Sequence, residues 1–531
     1  MTDRVSRRVC LILVVSVAIF LRWCVSLFSY SGQNKPPMFG DYEAQRHWME
    51  ITLNLPTKEW YFNTSNNDLQ YWGLDYPPLT AYHSLICGYV ARYINPEFVA
   101  LKVSRGYESY EHKLFMRATV VVADLLVYIP ALCCYFSDKS RGQINKFNKP
   151  SSQKARHDTY VAELFLALIY PGIILIDHGH FQYNGVSLGF MVAAVAALLQ
   201  SKLLVAAMAF CLALNYKQME LYHSLPFFCY MLGVCLSTKK KLLALKKLLC
   251  IASVVIPTFI LVWVPFLSNI DVILQVLRRL FPLYRGVFED KVANVWCALN
   301  IVYKLRNVDH LIMAKICLVS TLLAVTPSCL DLLLHPEKNK FLLALINSSL
   351  AFFLFSFHVH EKSILLAAIP AILYFPIEPF PVFWFLLVSN FSMLPLILKD
   401  NVLIPFVALT IFYFMSVIVI VDIEFGCDGM RLKSDSGPVV SKSNVNQKSQ
   451  TKVKLKKQLS NEKWLSYAFM ASIIGCVVLT VCSIFIKPPQ KYPDLFPLIV
   501  SVYSCAHFLL FFLYFMYRQI SPDTHVCLKC D

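Results

Sequence analysis

Charge is scarce in this chain. Of its 531 residues, 15% are charged and 57% hydrophobic, whereas a soluble domain usually carries about 25% charged residues, so an ordinary water-soluble globule is excluded. The sequence has no D-x-D element of the kind that holds a metal with a nucleotide-sugar diphosphate, and no Gly-rich phosphate loop. A nucleotide-bound substrate is thereby disfavoured. No nucleic-acid recognition motif accompanies the net charge of +16, and the basic residues sit in loops. That pattern is membrane topology rather than a polyanion-binding face, and no nucleic-acid partner is expected. Most of the 18 cysteines are scattered singly through apolar runs, as at Cys133, Cys134, Cys211, Cys229, Cys250 and Cys317, where a thiol behaves as a small hydrophobe. The spaced pair Cys527 and Cys530 supplies two of the four ligands that structural zinc wants. Neither a metal site nor a cofactor is expected.

What the chain does have is apolar runs. Val9 to Phe20, Leu114 to Phe136, Leu242 to Phe266, Val402 to Val421 and Leu495 to Tyr517 approach or exceed the roughly 20 residues a helix needs to cross the hydrocarbon core. The basic leader MTDRVSRR precedes the first of them without a small-residue cleavage pattern, so it reads as a retained first span with a cytosolic N-terminus. The fold class predicted is an all-α polytopic membrane protein with about 14 transmembrane helices. They lie near 9–30, 114–136, 159–177, 185–200, 202–216, 221–236, 242–266, 310–334, 340–357, 362–376, 380–398, 402–422, 464–486 and 494–517. The parse is a leader and first span (1–30), a long loop (31–113), a multi-span core (114–427), a basic linker (428–463) and two last spans with a tail (464–531). Loop 137–158, the cluster Lys239, Lys240, Lys241 and the linker then fall on the cytosolic side, where lysine and arginine concentrate. The linker, rich in Lys, Ser, Asn and Gln, reads as disordered.

The opposite side collects GDYEAQRHW (40–48), WGLDYPPLTAYHS (72–84), DHGHFQYN (177–184), NYKQME (215–220), RRLFPLYRGVFEDKVAN (278–294) and FHVHEKS (357–363). Polar groups converging on one face of an apolar scaffold suit a membrane enzyme with an interfacial site. Within the first loop, 42–54 and 79–94 have helical spacing and are expected to lie along the surface. Asn63-Thr64-Ser65 is a glycosylation sequon there, usable only from a lumen. A transporter would instead place ionisable residues at midplane in repeated halves. Asp124 fits that, on one helix face with Arg117, but it stands almost alone and no internal repeat is detected.

FGDYEAQRHWMEITLNLP, QYWGLDYPPLTAYHSL, SRGYES, HKLFMR, DHGHFQYN, NYKQMELYHSLPFF, VLRRLFPLYRGVFEDKVANVWC and VHEKSILL together closely resemble the dolichyl-phosphate-glucose-dependent glucosyltransferases of the endoplasmic reticulum. The likeness runs from about residue 20 to the last pair of spans. It implies a C-type integral-membrane glycosyltransferase fold, a lumenal active site and an inverting transfer. The implied donor is dolichyl-phosphate glucose. The implied acceptor is a lipid-linked oligosaccharide, Man(9)GlcNAc(2) on diphosphodolichol, which would receive its first glucose in an α-1,3 linkage, with membrane lipids as surroundings. The sibling activity adding the second glucose is the alternative within the class, and a transporter the alternative outside it.

The resemblance places the catalytic carboxylate just after the first span, where Asp41 stands. An inverting transfer needs one base to take a proton from the acceptor hydroxyl, and a lipid phosphate leaves without an acid. Asp41 is also placed to cap a helix beginning at Tyr42, and the two roles are compatible. The leaving phosphate needs positive charge and donors; His360 and Lys362, with His358 and Arg285, are expected there, and Arg278 and Arg279 offer more. His180, Gln182 and Tyr183 are expected as sugar or phosphate contacts, because His178 and His180 lack the spacing of a zinc pair. Trp72, Asp75 and Tyr76 are expected as acceptor contacts, and Glu43 either as one of these or as a support behind the site. For Trp48, Trp60 and Tyr71 an aromatic belt at the interface is the simpler reading.

Overall fold

The computed structural model describes residues 2–137, 153–282, 291–421, 423–426, 429–432 and 445–521. Their regular secondary structure is helical apart from one short antiparallel ladder pairing Ile423–Gly426 with Gly429–Leu432. Among them, 11 helices are long and apolar enough to cross a membrane, from Arg8–Ser26 to Leu495–Ile520. The count of about 14 is not reproduced, for a physical reason. The other three expected spans are the helices Asn184–Leu199, Leu203–Tyr216 and Leu365–Tyr374, with 16, 14 and 10 residues. At about 1.5 Å per residue none reaches about 30 Å. Every residue of Leu365–Tyr374 is buried, as is nearly all of Asn184–Leu199. Their apolar character serves packing inside the bundle, yet each still carries the chain between its two ends: Asn184, Lys217 and Lys362 lie at the Asp41 end, whereas the Leu199 carbonyl meets Lys338 and the Leu373 carbonyl meets Tyr135 at the other. Lys241–Trp263, by contrast, buries little beyond Ile251 and exposes Leu242, Leu249 and Leu261 as a lipid-facing helix does.

The bundle interior is cross-linked by charge. In helix α1 (Thr2–Ser26), fully buried Arg22 donates from Nε to Asp124 at 2.7 Å and from Nη1 to the Ala18 and Leu168 carbonyls. His178 Nε2 reaches the same Asp124 oxygen at 3.0 Å. The expected pairing of Asp124 with Arg117 is therefore wrong: Arg117 donates to the Ser29 and Gly179 carbonyls. Sequence proximity suggested one partner, and a tertiary crossing supplied another. Gly185 makes the crossing possible, since a Cβ there would lie 2.2 Å from Asp124 Oδ1.

Within the first loop, helix α2 (Asp41–Asn54) and helix α3 (Pro78–Ile94) form where the spacing predicted them. α2 does not lie along a surface, however, because Tyr42 through Thr52 are all buried. Its charges close on one another. Arg46 grips Glu43 with Nε and Nη2 at 2.8 and 2.7 Å, reaches Glu50 at 2.8 Å and Ser104 at 2.5 Å, while Glu50 takes the Lys102 backbone N–H at 2.6 Å. Most of the polarity of GDYEAQRHW thus fastens α2 to the loop around 100–104.

Two further expectations meet the structure here. The linker placed at 428–463 is in part helix, because Val445–Phe485 runs unbroken into the expected span. Most of loop 137–158, Cys527, Cys530 and Arg285 lie outside the described residues.

Removing Arg46 leaves two buried carboxylates unpaired. Arg46→Leu is expected to cost about 3–5 kcal/mol, read as a lowered thermal midpoint of the detergent-solubilised protein. An unchanged midpoint would show that the network adds nothing to the fold.

Candidate active site

α2 begins where it does because of Gly40. Its φ is 115°, and a Cβ there would meet the Ser31 carbonyl and Oγ at 2.8 Å, so only glycine lets the chain pass Ser31 this closely. Ser31 in turn donates its backbone N–H to the His180 carbonyl at 3.0 Å, and its Oγ accepts from the Asp41 N–H at 3.3 Å. The first loop is thereby pinned to the end of Thr159–Phe181, a helix that finishes in a π turn over Leu175–Phe181.

That wide turn sends its two histidines to different carboxylates. His178 goes inward to Asp124, and His180 goes to Asp41. Asp41 opens α2, but its carboxylate caps nothing. Oδ2 accepts from His180 Nε2 at 3.0 Å, from Gln182 Nε2 and from Lys362 Nζ. Oδ1 carries no hydrogen bond among the described residues, and the side chain is 22% exposed. Burial pushes Asp41 up, but the Lys362 ammonium and His180 outweigh it and hold the carboxyl well below the usual carboxylate range.

Around this centre Lys217 donates to Asn184 Oδ1 at 2.5 Å and to Gln182 Oε1 at 3.2 Å, and stands 4.8 Å from the Tyr76 ring. Burial, and then the Lys362 charge, pull Lys217 below the usual lysine value. The far ring nitrogen of His180, Nδ1, meets Asp400 Oδ2 at 2.5 Å. Sequence reasoning missed Asp400. The signal was present: Lys399, Asp400 and Asn401 form a polar interruption between two apolar runs, on the same side as DHGHFQYN under the expected alternation.

Of the expected site residues, Asp41, His180, Gln182 and Lys362 come together, and Tyr76 lies beside them through Lys217. Lys362, expected on a phosphate, contacts the carboxylate instead. Others are placed elsewhere. Glu43, 2% exposed, is held by Arg46 and by the Tyr71 hydroxyl at 2.8 Å. Tyr183 is interior, its hydroxyl 2.6 Å from Thr119 Oγ1 and its ring against His83. The Trp72 indole donates to the Met38 carbonyl at 2.5 Å, and the Asp75 carbonyl accepts from Gln218 at 3.0 Å. Arg279 donates to the Gly73 and Leu74 carbonyls and so braces the WGLDYPP turn. His358 packs its ring on Phe357, and His360 precedes the 3-10 turn Glu361–Ile364 that delivers Lys362. Trp48 and Trp60 are buried in the core rather than presented at an interface.

One carboxylate, gathered with an imidazole, an amide and two lysines at one end of a helical bundle, can accept a proton beside a bound anion. The chain also resembles known proteins along nearly its whole length. The chain is 50% identical over 504 residues to the Gallus gallus dolichyl pyrophosphate Man9GlcNAc2 alpha-1,3-glucosyltransferase, covering 95% of each chain. It is 48% identical over 514 residues to the protein of that name from Pongo abelii, covering 94% of this chain and 95% of the relative. It is also 49% identical over 508 residues to the probable enzyme of Drosophila melanogaster, covering 95% and 97%. Residues 18–514 match one family model, a stretch that encloses every group gathered on Asp41, and on that ground the chain belongs to the ALG6, ALG8 glycosyltransferase family.

Proposed function

We propose that this membrane glycosyltransferase moves glucose from dolichyl-phosphate glucose to the terminal mannose of lipid-linked Man9GlcNAc2, in an α-1,3 linkage with inversion at the anomeric carbon. The acceptor and linkage rest on the names of relatives 48–50% identical along nearly the whole chain. The observation that carries the mechanism is the split use of the Asp41 carboxylate, with Oδ2 held by three donors and Oδ1 left open. Oδ1 takes the proton from the acceptor hydroxyl as its oxygen bonds to the anomeric carbon. The bond from that carbon to the phosphate oxygen breaks, and the lipid phosphate leaves as an anion. Lys362 and Lys217, with His360 two residues before Lys362, supply the positive charge that such an anion needs. Transfer is measured with labelled donor and purified full-length protein, against the unglucosylated and the monoglucosylated acceptor. Preference for the monoglucosylated acceptor would reassign the chain to the second-glucose activity.

The active face is assigned to the lumen of the endoplasmic reticulum. Basic loops support that orientation, and Asp41, His180, Lys362 and Asp400 sharing one end of the bundle gives the alternation one consistent parity. In a cysteine-depleted protein in sealed microsomes, a single cysteine at exposed Lys240 is expected to react with an impermeant reagent. One at exposed Asn63 is expected to react only after the membrane is opened. Reaction at both in sealed vesicles would reverse or break the assignment.

Asp41→Asn keeps the volume and an acceptor for the three donors, but cannot take a proton. Turnover is expected to fall roughly 10²–10⁴-fold, with membrane insertion intact; retention of about a tenth of wild-type turnover would remove Asp41 as the base.

The depressed ionisation of Asp41 has its own signature. A group held below the ordinary carboxylate value stays ionised as pH falls, so wild-type kcat at saturating donor is expected to lose nothing to Asp41 protonation between neutrality and pH about 5. Lys362→Met removes the largest opposing charge, and the acid limb of kcat is expected to move to higher pH. A pH–rate profile with an unmoved limb would detach Lys362 from the base.

A further inference from the structure

His180 is the most rigid of the three donors on Asp41, and its other nitrogen is engaged. Asp400 Oδ2 lies 2.5 Å from Nδ1 while Nε2 lies 3.0 Å from Asp41 Oδ2, and both Asp400 and His180 are buried. A carboxylate oxygen faces each ring nitrogen, so the imidazole is gripped from both sides. Gln182 is held by Lys217 at its far oxygen alone, and Lys362 reaches Asp41 on a long chain with more rotatable bonds.

The backbone that presents Asp400 is itself fastened. The helix Pro379–Lys399 ends there, with the Asp400 N–H on the Leu396 carbonyl at 3.1 Å. Asn401 follows at φ 57°, turning the chain, and the Val402 N–H closes on the Ile397 carbonyl at 3.2 Å. The Ser29 hydroxyl donates to the Asp400 carbonyl, and Arg117 holds the Ser29 and Gly179 carbonyls, so both flanks of the pair are tied to a second helix. An aspartate that served only to end a helix would not need this fastening or that direction.

We infer that Asp400 is a positioning residue for the transfer: it fixes the His180 ring, and His180 fixes Asp41 in the orientation that leaves Oδ1 toward the acceptor. The inference rests on the reading of Asp41 as the base. It adds a carboxylate–imidazole–carboxylate line in which only the outer member meets substrate. Removing Asp400 frees the ring to turn, so Oδ1 spends less time in the reacting geometry; kcat falls while the affinities for donor and acceptor stay.

The test uses full-length protein with saturating substrates and a thermal midpoint for each variant. Asp400→Leu is expected to lower kcat about 10- to 100-fold, the scale seen for outer carboxylates that orient a functional histidine, with both KM values near wild type. Asp400→Asn, whose amide oxygen still accepts from Nδ1, recovers most of that loss. In a His180→Gln background either substitution at 400 is expected to cost no more than about twofold, because the effect has no route left. Equal losses for Leu and Asn, equal costs in both backgrounds, or a loss carried by KM would each overturn the inference. Should Asp400→Leu fail to fold, Asp400→Ala, which likewise removes the acceptor on Nδ1, takes its place in the cycle with His180→Gln, and additivity there overturns it equally. Asp41→Asn, run in parallel, separates the two claims. An active Asp41→Asn removes the base reading whatever the Asp400 variants do; an inactive one with additive 400 and 180 effects removes only the positioning role.

Discussion

A charge removed from water has to be met by an opposite charge or by hydrogen-bond donors, and that requirement organises this molecule. Three clusters meet it in three ways. Arg22, Asp124 and His178 neutralise one another inside the bundle and join the first span to two others. Glu43, Arg46 and Glu50 close a network within α2 and fasten it to the loop above the bundle. Asp41 is met on one oxygen alone, by groups 139, 141 and 321 residues away in sequence, and its side chain is 22% exposed. The first two clusters are sealed from solvent and hold the fold, with Arg22 Nη2, His178 Nδ1 and His47 Nε2 left without a partner among the described residues. The third is half complete, and the open half is where chemistry has room.

How much of this the sequence disclosed depended on the kind of signal. Apolar runs are lengths, and length is legible, so each of the fourteen expected segments is a helix. Whether a short one faces lipid or runs inside the bundle is decided by its neighbours: every residue of Leu365–Tyr374 is buried, and the segment passes through the interior from Lys362 at the site to the Leu373 carbonyl at Tyr135. Asp41, His180, Gln182 and Lys362 were legible because each lies in a polar block following an apolar run, on the side that basic loops leave free. Asp400 was passed over because its polar block is three residues long. Which of the two roles open to Glu43 it takes was not legible: two residues from Asp41 along a helix turns a side chain through roughly 200°, toward Arg46. The partner of Asp124 could not be read at all, because Arg22 lies 102 positions earlier and nothing local points to it.

Under the proposed transfer, the same geometry accounts for a carboxylate of low basicity serving as the base. An acceptor hydroxyl becomes acidic only as its oxygen bonds to the anomeric carbon, so the proton moves late and needs a well-placed acceptor more than a strong one. Placement is what three donors on a single oxygen provide. Lys362 then carries two duties that chemistry makes compatible. It is the principal charge keeping Asp41 ionised, and it stands where a departing phosphate anion would compete for the same ammonium. A phosphate that draws Lys362 toward itself relieves Oδ2 of a cation and raises the basicity of Asp41 at the moment a base is required. His180 and Gln182 keep the carboxylate aimed while that happens. The fold thus separates what must stay fixed, supplied from the two anchored donors, from what can answer to substrate charge, supplied by the one long and flexible side chain.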